Sequence, residues 1–116
     1  MKDIKGYEGL YAVTSCGKVW SYKRKKWISQ FLDHKGYPKV RLFKDGVHRN
    51  FKVSRLVLET YSPIDGMEKL QANHIDEVKN HNWLGNLNWM TNKENNNWGT
   101  KNKRANETKR ARGLLR

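Results

Sequence analysis

Asp45 and Gly46 stand between the runs "YPKVRLFK" and "VHRNFKV", and this pairing constrains the fold more than any other feature of the 116-residue chain. An Asp-Gly step flanked by alternating apolar and polar residues favours the two-residue turn whose twist matches that of paired strands. Val40 and Leu42, with Pro38, alternate with Lys39 and Arg41, so one strand face is apolar and the other charged. Upstream, "GLYAVTSCGKVWSYK" sets a Ser-Cys-Gly turn between two β-branched and aromatic runs, and "KWISQFL" follows. That pattern predicts another hairpin. Residues 1–53 therefore read as a small antiparallel meander of four or five strands.

The hydrophobic period then changes. In "SRLVLETY", Leu56, Val57, Leu58 and Tyr61 suit one helix face, Ser54 is placed to cap it, and "SPIDG" ends it. "KLQANHI" reads as a short strand, residues 76–85 as a loop, "LNWMT" as a second strand, and "NKENNNWG" as a helical turn or two opened by Thr91 or Asn92. The fold class is α+β: a β-rich module, a helix, then strand, loop, strand, helix. The tail, residues 100–116, has no apolar face and reads as a basic extension.

Charge narrows the partners. Twenty-four Lys and Arg against 11 Asp and Glu give a formal net charge of +13. A compact domain this basic repels itself until a polyanion neutralises it, which points to nucleic acid. With only 36% hydrophobic residues, the core is modest and the aromatic residues must supply much of it. The lone Cys16 excludes an internal disulfide and a thiolate zinc cluster. No run approaches the ~20 apolar residues that cross a bilayer, and "MKDIKGYEGL" lacks a signal-peptide core; a cytoplasmic protein without membrane partners is expected.

Residues 73–95, "NHIDEVKNHNWLGNLNWMTNKEN", interleave histidine and asparagine with Trp and Leu. This stretch resembles the HNH motif of phage and intron-encoded endonucleases, in a variant with Asn at the third signature position. Upstream, "IKGYEGLYAVTSCGKVWSYK", "GYPKVRLFKDG" and "VSRLVLETY" resemble the NUMOD4 module that precedes such motifs. The resemblance covers about residues 4–98, and departs from the usual pattern at Glu77, His81 and Ser54. It implies three units: a NUMOD4-like module over 1–53, a ββα-metal (HNH) nuclease unit over 54–99, and the basic tail over 100–116.

The resemblance also implies roles. His74, Asn86 and Asn95 are the signature residues of the catalytic set, with His74 as general base. Asn73 and Asn95 are the implied ligands of one Mg²⁺, for which Mn²⁺ should substitute; two neutral oxygens suit a hard cation that completes its shell with water and substrate phosphate. Asn86 is expected to tie the loop to the backbone near His74, with Asp76 and Asn82 bracing it. Joint use of Asn73 and His74 requires a bend, because adjacent strand residues point to opposite faces. Leu84, Leu87 and Trp89 read as core. Trp83 and Trp98 are open between core and DNA, and His34, His48 and His81 read as solvated.

The implied activity is hydrolysis of phosphodiester bonds in duplex DNA by a nicking or homing-type enzyme. The alternative is an inactive DNA-binding module or regulator of the same family. One site per chain favours a monomer, and paired cuts would need a dimer. Candidate phosphate contacts are Lys23, Arg24, Lys25 and Lys26, then Arg41, Arg49 and Arg55, and in the tail Lys101, Lys103 and Arg104. Lys39, Arg41, Lys44, Arg49 and Lys52 are expected to share one charged sheet face, with Arg55 as a clamp on the scissile phosphate. No base-reading helix is evident, so modest sequence preference is expected.

Overall fold

A computed structural model describes residues 1–96. Its first sheet orders four short strands, β1 (Lys2–Asp3), β2 (Tyr11–Val13), β3 (Val19–Ser21) and β4 (Lys26–Trp27), all antiparallel. A second sheet orders β5 (Phe31–Leu32), β6 (Pro38–Lys44) and β7 (Val47–Lys52). Helix α1 (Val53–Tyr61) follows, then a two-stranded sheet of β8 (Gln71–His74) and β9 (Leu87–Met90), and helix α2 (Asn92–Asn96).

The Asp45-Gly46 step forms the tight turn, with φ of 53° and 77° at its two residues, the left-handed pair that a two-residue hairpin needs. The expected single meander is instead two sheets. "KWISQFL" breaks between them because Ile28 ends its pairing with Val19, and Gln30 turns inward to donate to the Gly17 carbonyl.

Val40 and Leu42 of β6 are fully buried, while Arg41 is exposed. The register pairs Arg41 with Asn50 and Leu42 with Arg49. Facing residues share a side of the sheet, so Arg41, Lys39 and Lys52 project outward while Arg49 and Lys44 lie on the core side, beyond its edge. The single charged face expected from alternation is thus corrected: one strand reverses direction, and parity assigns its cations to the two faces.

Helix α1 packs against all three sheets. Val53, Leu56, Val57 and Leu58 are at most 2% exposed, and burial of each such side chain is worth roughly 1.5–3 kcal/mol. Ser54 does not cap this helix. Lys52 holds the cap position without a side-chain bond, and Ser54 lies in the first turn, buried. Tyr61 Oη donates to the Val13 carbonyl and Trp89 Nε1 to the Ser62 carbonyl, binding the helix end to β2 and β9. One hydrophobic cluster runs from Ile4 through β6 and α1 to Leu87, so no break in the core marks the division expected at residues 53 and 54. Leu87 is buried in it, and Leu84 and Trp89 pack against it half-buried.

Candidate functional site

The β8–β9 pair sets Asn73 opposite Asn88 and His74 opposite Leu87. His74 is the last residue of β8, after which the Glu77 amide donates to its carbonyl and turns the chain; Glu77 takes φ 65° to do so. Helix α2 begins with reciprocal caps: Thr91 Oγ1 accepts from the Glu94 amide and Glu94 Oε1 from the Thr91 amide, the sequence pattern T-x-x-E that satisfies two orphan donors. That start angles Asn95 back toward β8, where its Nδ2 donates to Gln71 Oε1 at 2.7 Å.

Asn73, His74 and Asn95 line one cleft of about 130 Å³, with Tyr37, Ala72, Glu77 and Lys79. Both Asn73 and His74 line this cleft although they are adjacent in β8, and the chain turns directly after His74. A neighbouring cleft of about 300 Å³ shares Tyr37, Ala72 and Asn95 and adds Lys35, Lys52 and Arg55. Wider depressions, of about 460 and 520 Å³, hold no histidine or asparagine; chemistry rather than size picks out the small cleft.

His74 is 6% exposed. Its Nε2 lies 2.7 Å from Asn82 Oδ1. An amide oxygen only accepts, so Nε2 carries the proton and Nδ1 keeps the lone pair. Burial pushes the imidazole pKa below its ordinary 6.5, opposed by the Asn82 hydrogen bond and the Asp76 charge. The ring is therefore neutral near pH 7 and basic at one atom, Nδ1. Tyr37 stacks beside it, ring centroids 6.0 Å apart, and the ammonium groups of Lys52 and Lys79 sit 4.3 and 5.0 Å from the Tyr37 centroid. Burial lowers the Lys52 pKa, which Asp33 opposes.

Asn86 closes the loop from Ile75 to Asn86. Its Oδ1 accepts from the Asp76 amide, and its Nδ2 donates to Asp76 Oδ1 and to the His81 carbonyl. Asp76 also accepts from the Val78 amide and, at 2.6 Å, from His81 Nδ1. These bonds, the one from His81 foremost, hold the Asp76 carboxyl at a pKa of about 2. Asn86 thus touches the loop and not the cleft. His81 is tied to Asp76 rather than simply solvated, and packs on the half-exposed Trp83 at 4.6 Å; His34 and His48 are exposed.

The donor set fits a hard divalent cation. Asn73 Nδ2 donates to Asn88 Oδ1 and Asn95 Nδ2 to Gln71 Oε1. Both amides thereby engage their nitrogens, and an amide oxygen is the atom each can offer a ligand. Among the described residues no three His, Cys, Asp or Glu side chains cluster, so neutral amide oxygen is what this cleft offers.

The remaining candidates lie apart from it. Lys23, Arg24 and Lys25 occupy the β3–β4 turn and Lys26 lies in β4; Arg24, Lys26 and Arg41 line a groove with Phe31 and Phe43. Arg55 borders the second cleft, yet three of its N–H groups are engaged by Glu59 and by the Met67 and Leu70 carbonyls, and it lies over the Trp89 ring. It therefore ties α1 to the turn that leads into β8, and its engaged N–H groups leave it poorly placed to act as the expected clamp. Lys101, Lys103, Arg104, Trp98 and the tail lie outside the described residues. Sequence reasoning missed Tyr37, Gln71 and Lys79, whose places come from folding rather than from any local pattern.

Comparison with known proteins adds a second line. Residues 2–43 match the NUMOD4 motif. The chain is 41% identical over 95 residues to the DNA endonuclease I-HmuI of Bacillus phage SP01, covering 81% of this chain and 53% of that protein. It is 29% identical over 82 residues to the H-N-H endonuclease F-TflII of Escherichia phage T5, covering 70% of this chain and 42% of that one. A solved structure of the HNH homing endonuclease I-HmuI, described for its DNA binding and cleavage, superposes with a TM-score of 0.76 at 36% identity, over 95% of this chain and 60% of that one. The chain thus spans about half the length of the curated phage relatives it matches.

Proposed function

Because this chain belongs with the HNH endonucleases that carry a NUMOD4 motif, we propose that it is a metal-dependent DNA endonuclease that hydrolyses phosphodiester bonds in duplex DNA, one strand at a time. The single observation that carries this reading is His74, bonded through Nε2 to Asn82, lining the same cleft as Asn73 and Asn95.

In this reading His74 Nδ1 takes a proton from the attacking water. Its depressed pKa keeps the ring in the base form at neutral pH. Asn82 fixes the tautomer and the ring plane, and the Tyr37 ring limits rotation from the other side. Asn73 and Asn95 would hold one Mg²⁺ or Mn²⁺ ion, which when bound polarises the phosphate and stabilises the leaving oxygen. Lys52 and Lys79, over Tyr37, attract the phosphodiester and orient it. Arg24, Lys26 and Arg41 contact phosphates further along, through the groove they share on the sheet faces. Such contacts position the duplex without reading its sequence.

Supercoiled plasmid incubated with the protein and Mg²⁺, with EDTA, and with His74→Ala tests the proposal. Relaxed circles only from the wild-type, metal-containing reaction support it. Binding without relaxation at any pH or with either metal would leave an inactive DNA-binding module.

A further inference from the structure

The turn joining β2 to β3 lies far in sequence from the cleft, yet it presses on the residue that holds the histidine. Thr14 to Lys18 close on themselves, with the Gly17 amide donating to the Thr14 carbonyl and the Lys18 amide to Thr14 Oγ1. The Ser15 carbonyl accepts from the Leu84 amide at 2.7 Å, and the Gly17 carbonyl accepts from Gln30 Nε2 at 2.8 Å. Gly17 is buried, with φ +90°. A Cβ there would lie 2.8 Å from the Asn82 carbonyl oxygen and 3.0 Å from its Cβ. Asn82 itself is 4% exposed.

The turn thus touches the backbone of Asn82 at Gly17 and holds the chain two residues on at Leu84, while the Asn82 side chain reaches His74. We propose that the Ser15–Gly17 turn of the NUMOD4-matching segment is a positioning element for the histidine, with Gly17 setting the place of Asn82 by contact. The claim rests on the endonuclease reading only for its effect on rate; its effect on the ring does not. A methyl group at Gly17 forces the Asn82 backbone to retreat by roughly half an ångström to reach ordinary contact. The bond from Nε2 to the amide oxygen is then stretched and weakened, and the imidazole's tautomer preference falls with it.

The test pairs Gly17→Ala with Gly6→Ala. Gly6 has φ +86° and nothing within 4 Å of a built Cβ, so it carries the same backbone strain without the clash. Ring ¹⁵N shifts of His74 in the full chain at pH 8 report the tautomer, and plasmid nicking reports the rate. Gly17→Ala should show a mixture of tautomers and a nicking rate lower by about 10-fold or more, with DNA affinity as in wild type and the Gly6→Ala protein unchanged in both readouts. A wild-type tautomer in folded Gly17→Ala overturns the proposal, as does an equal loss in Gly6→Ala. If Gly17→Ala does not fold, Gln30→Ala takes its place: it releases the turn without backbone strain, and an unchanged ring signal there overturns the proposal equally. Wild-type protein that never nicks sinks the endonuclease reading, and the ring signals still decide the positioning claim.

Discussion

Asn82→Asp puts a carboxylate where the amide oxygen now lies 2.7 Å from His74 Nε2. The bond survives, since a carboxylate oxygen also accepts, but the imidazolium gains a counter-charge. With charge centres about 4 Å apart and an effective dielectric near 20, the attraction is about 4 kcal/mol, equivalent to about 3 pKa units. Drying a carboxylate at a site 4% exposed takes back a large part, so a rise of about 1–2 units is expected. Wild-type His74 titrates below 6.5, so its base form persists into mild acid. In the variant the acidic limb of the single-turnover nicking rate should move up by about 1–2 pH units. At pH 6 the rate falls relative to wild type, while at pH 9 it stays within a few-fold of it.

Stability gives an independent check with a definite sign. In wild type the folded-state pKa of His74 lies below the unfolded one. Its contribution is therefore complete above pH 6.5 and is lost as pH falls through the depressed value. In the variant the folded-state pKa is raised, so the contribution is present at low pH and lost as pH rises through the new value. Urea unfolding at pH 5 and pH 8 should show a larger deficit, relative to wild type, at pH 8. An acidic limb that does not move refutes the assignment of Nε2 as donor and Nδ1 as base.

Other consequences are equally direct. Asn86→Ala removes three side-chain hydrogen bonds from the loop, each worth about 1 kcal/mol net, so the urea midpoint should fall by the equivalent of about 2–3 kcal/mol at unchanged slope. Asn95→Ala removes a proposed ligand; the Mg²⁺ concentration giving half-maximal nicking should rise about 10-fold or more, with DNA affinity in EDTA unaffected. Lys52→Ala and Lys79→Ala should each reduce the slope of log affinity against log salt by about one in DNA-binding titrations. Asp76 titrates at about 2 against an ordinary 3.8, so the stability it lends the loop is complete above pH 3.8 and is lost as pH falls through about 2; Trp83 fluorescence, beside His81, reads that transition.

Much of the site is local, which is why the sequence carries it. Asn73 and His74 are adjacent, Asn86 lies within the same hairpin, and the Thr91–Glu94 caps start a helix that returns Asn95 to β8. Loop chemistry at Asp76, Asn82 and Asn86 is likewise short-range. What the sequence hides depends on register and distant contact. Alternation places Arg41 and Arg49 on charged positions but cannot say that strand reversal puts them on opposite faces. Arg55 precedes the helix as a phosphate clamp would, yet the carbonyls that engage it come from a turn 12 and 15 residues away. Ser54 has the chemistry of a cap, but the helix begins one residue earlier and buries it. Tyr37 meets the cleft, and Gly17 meets Asn82, only through the packing of sheets far apart in sequence.

That shared helix bears on how a chain of this kind can be divided. Val53 to Leu58 face Ile4, Val13 and Leu42 on one side and Ala72 and Leu87 on the other, so the two-stranded sheet and the five-residue α2 have no interior of their own. A crossover between genes at residue 53 or 54 would leave both products with raw apolar surface. The strand pair that carries His74 therefore depends on the upstream strands for its interior.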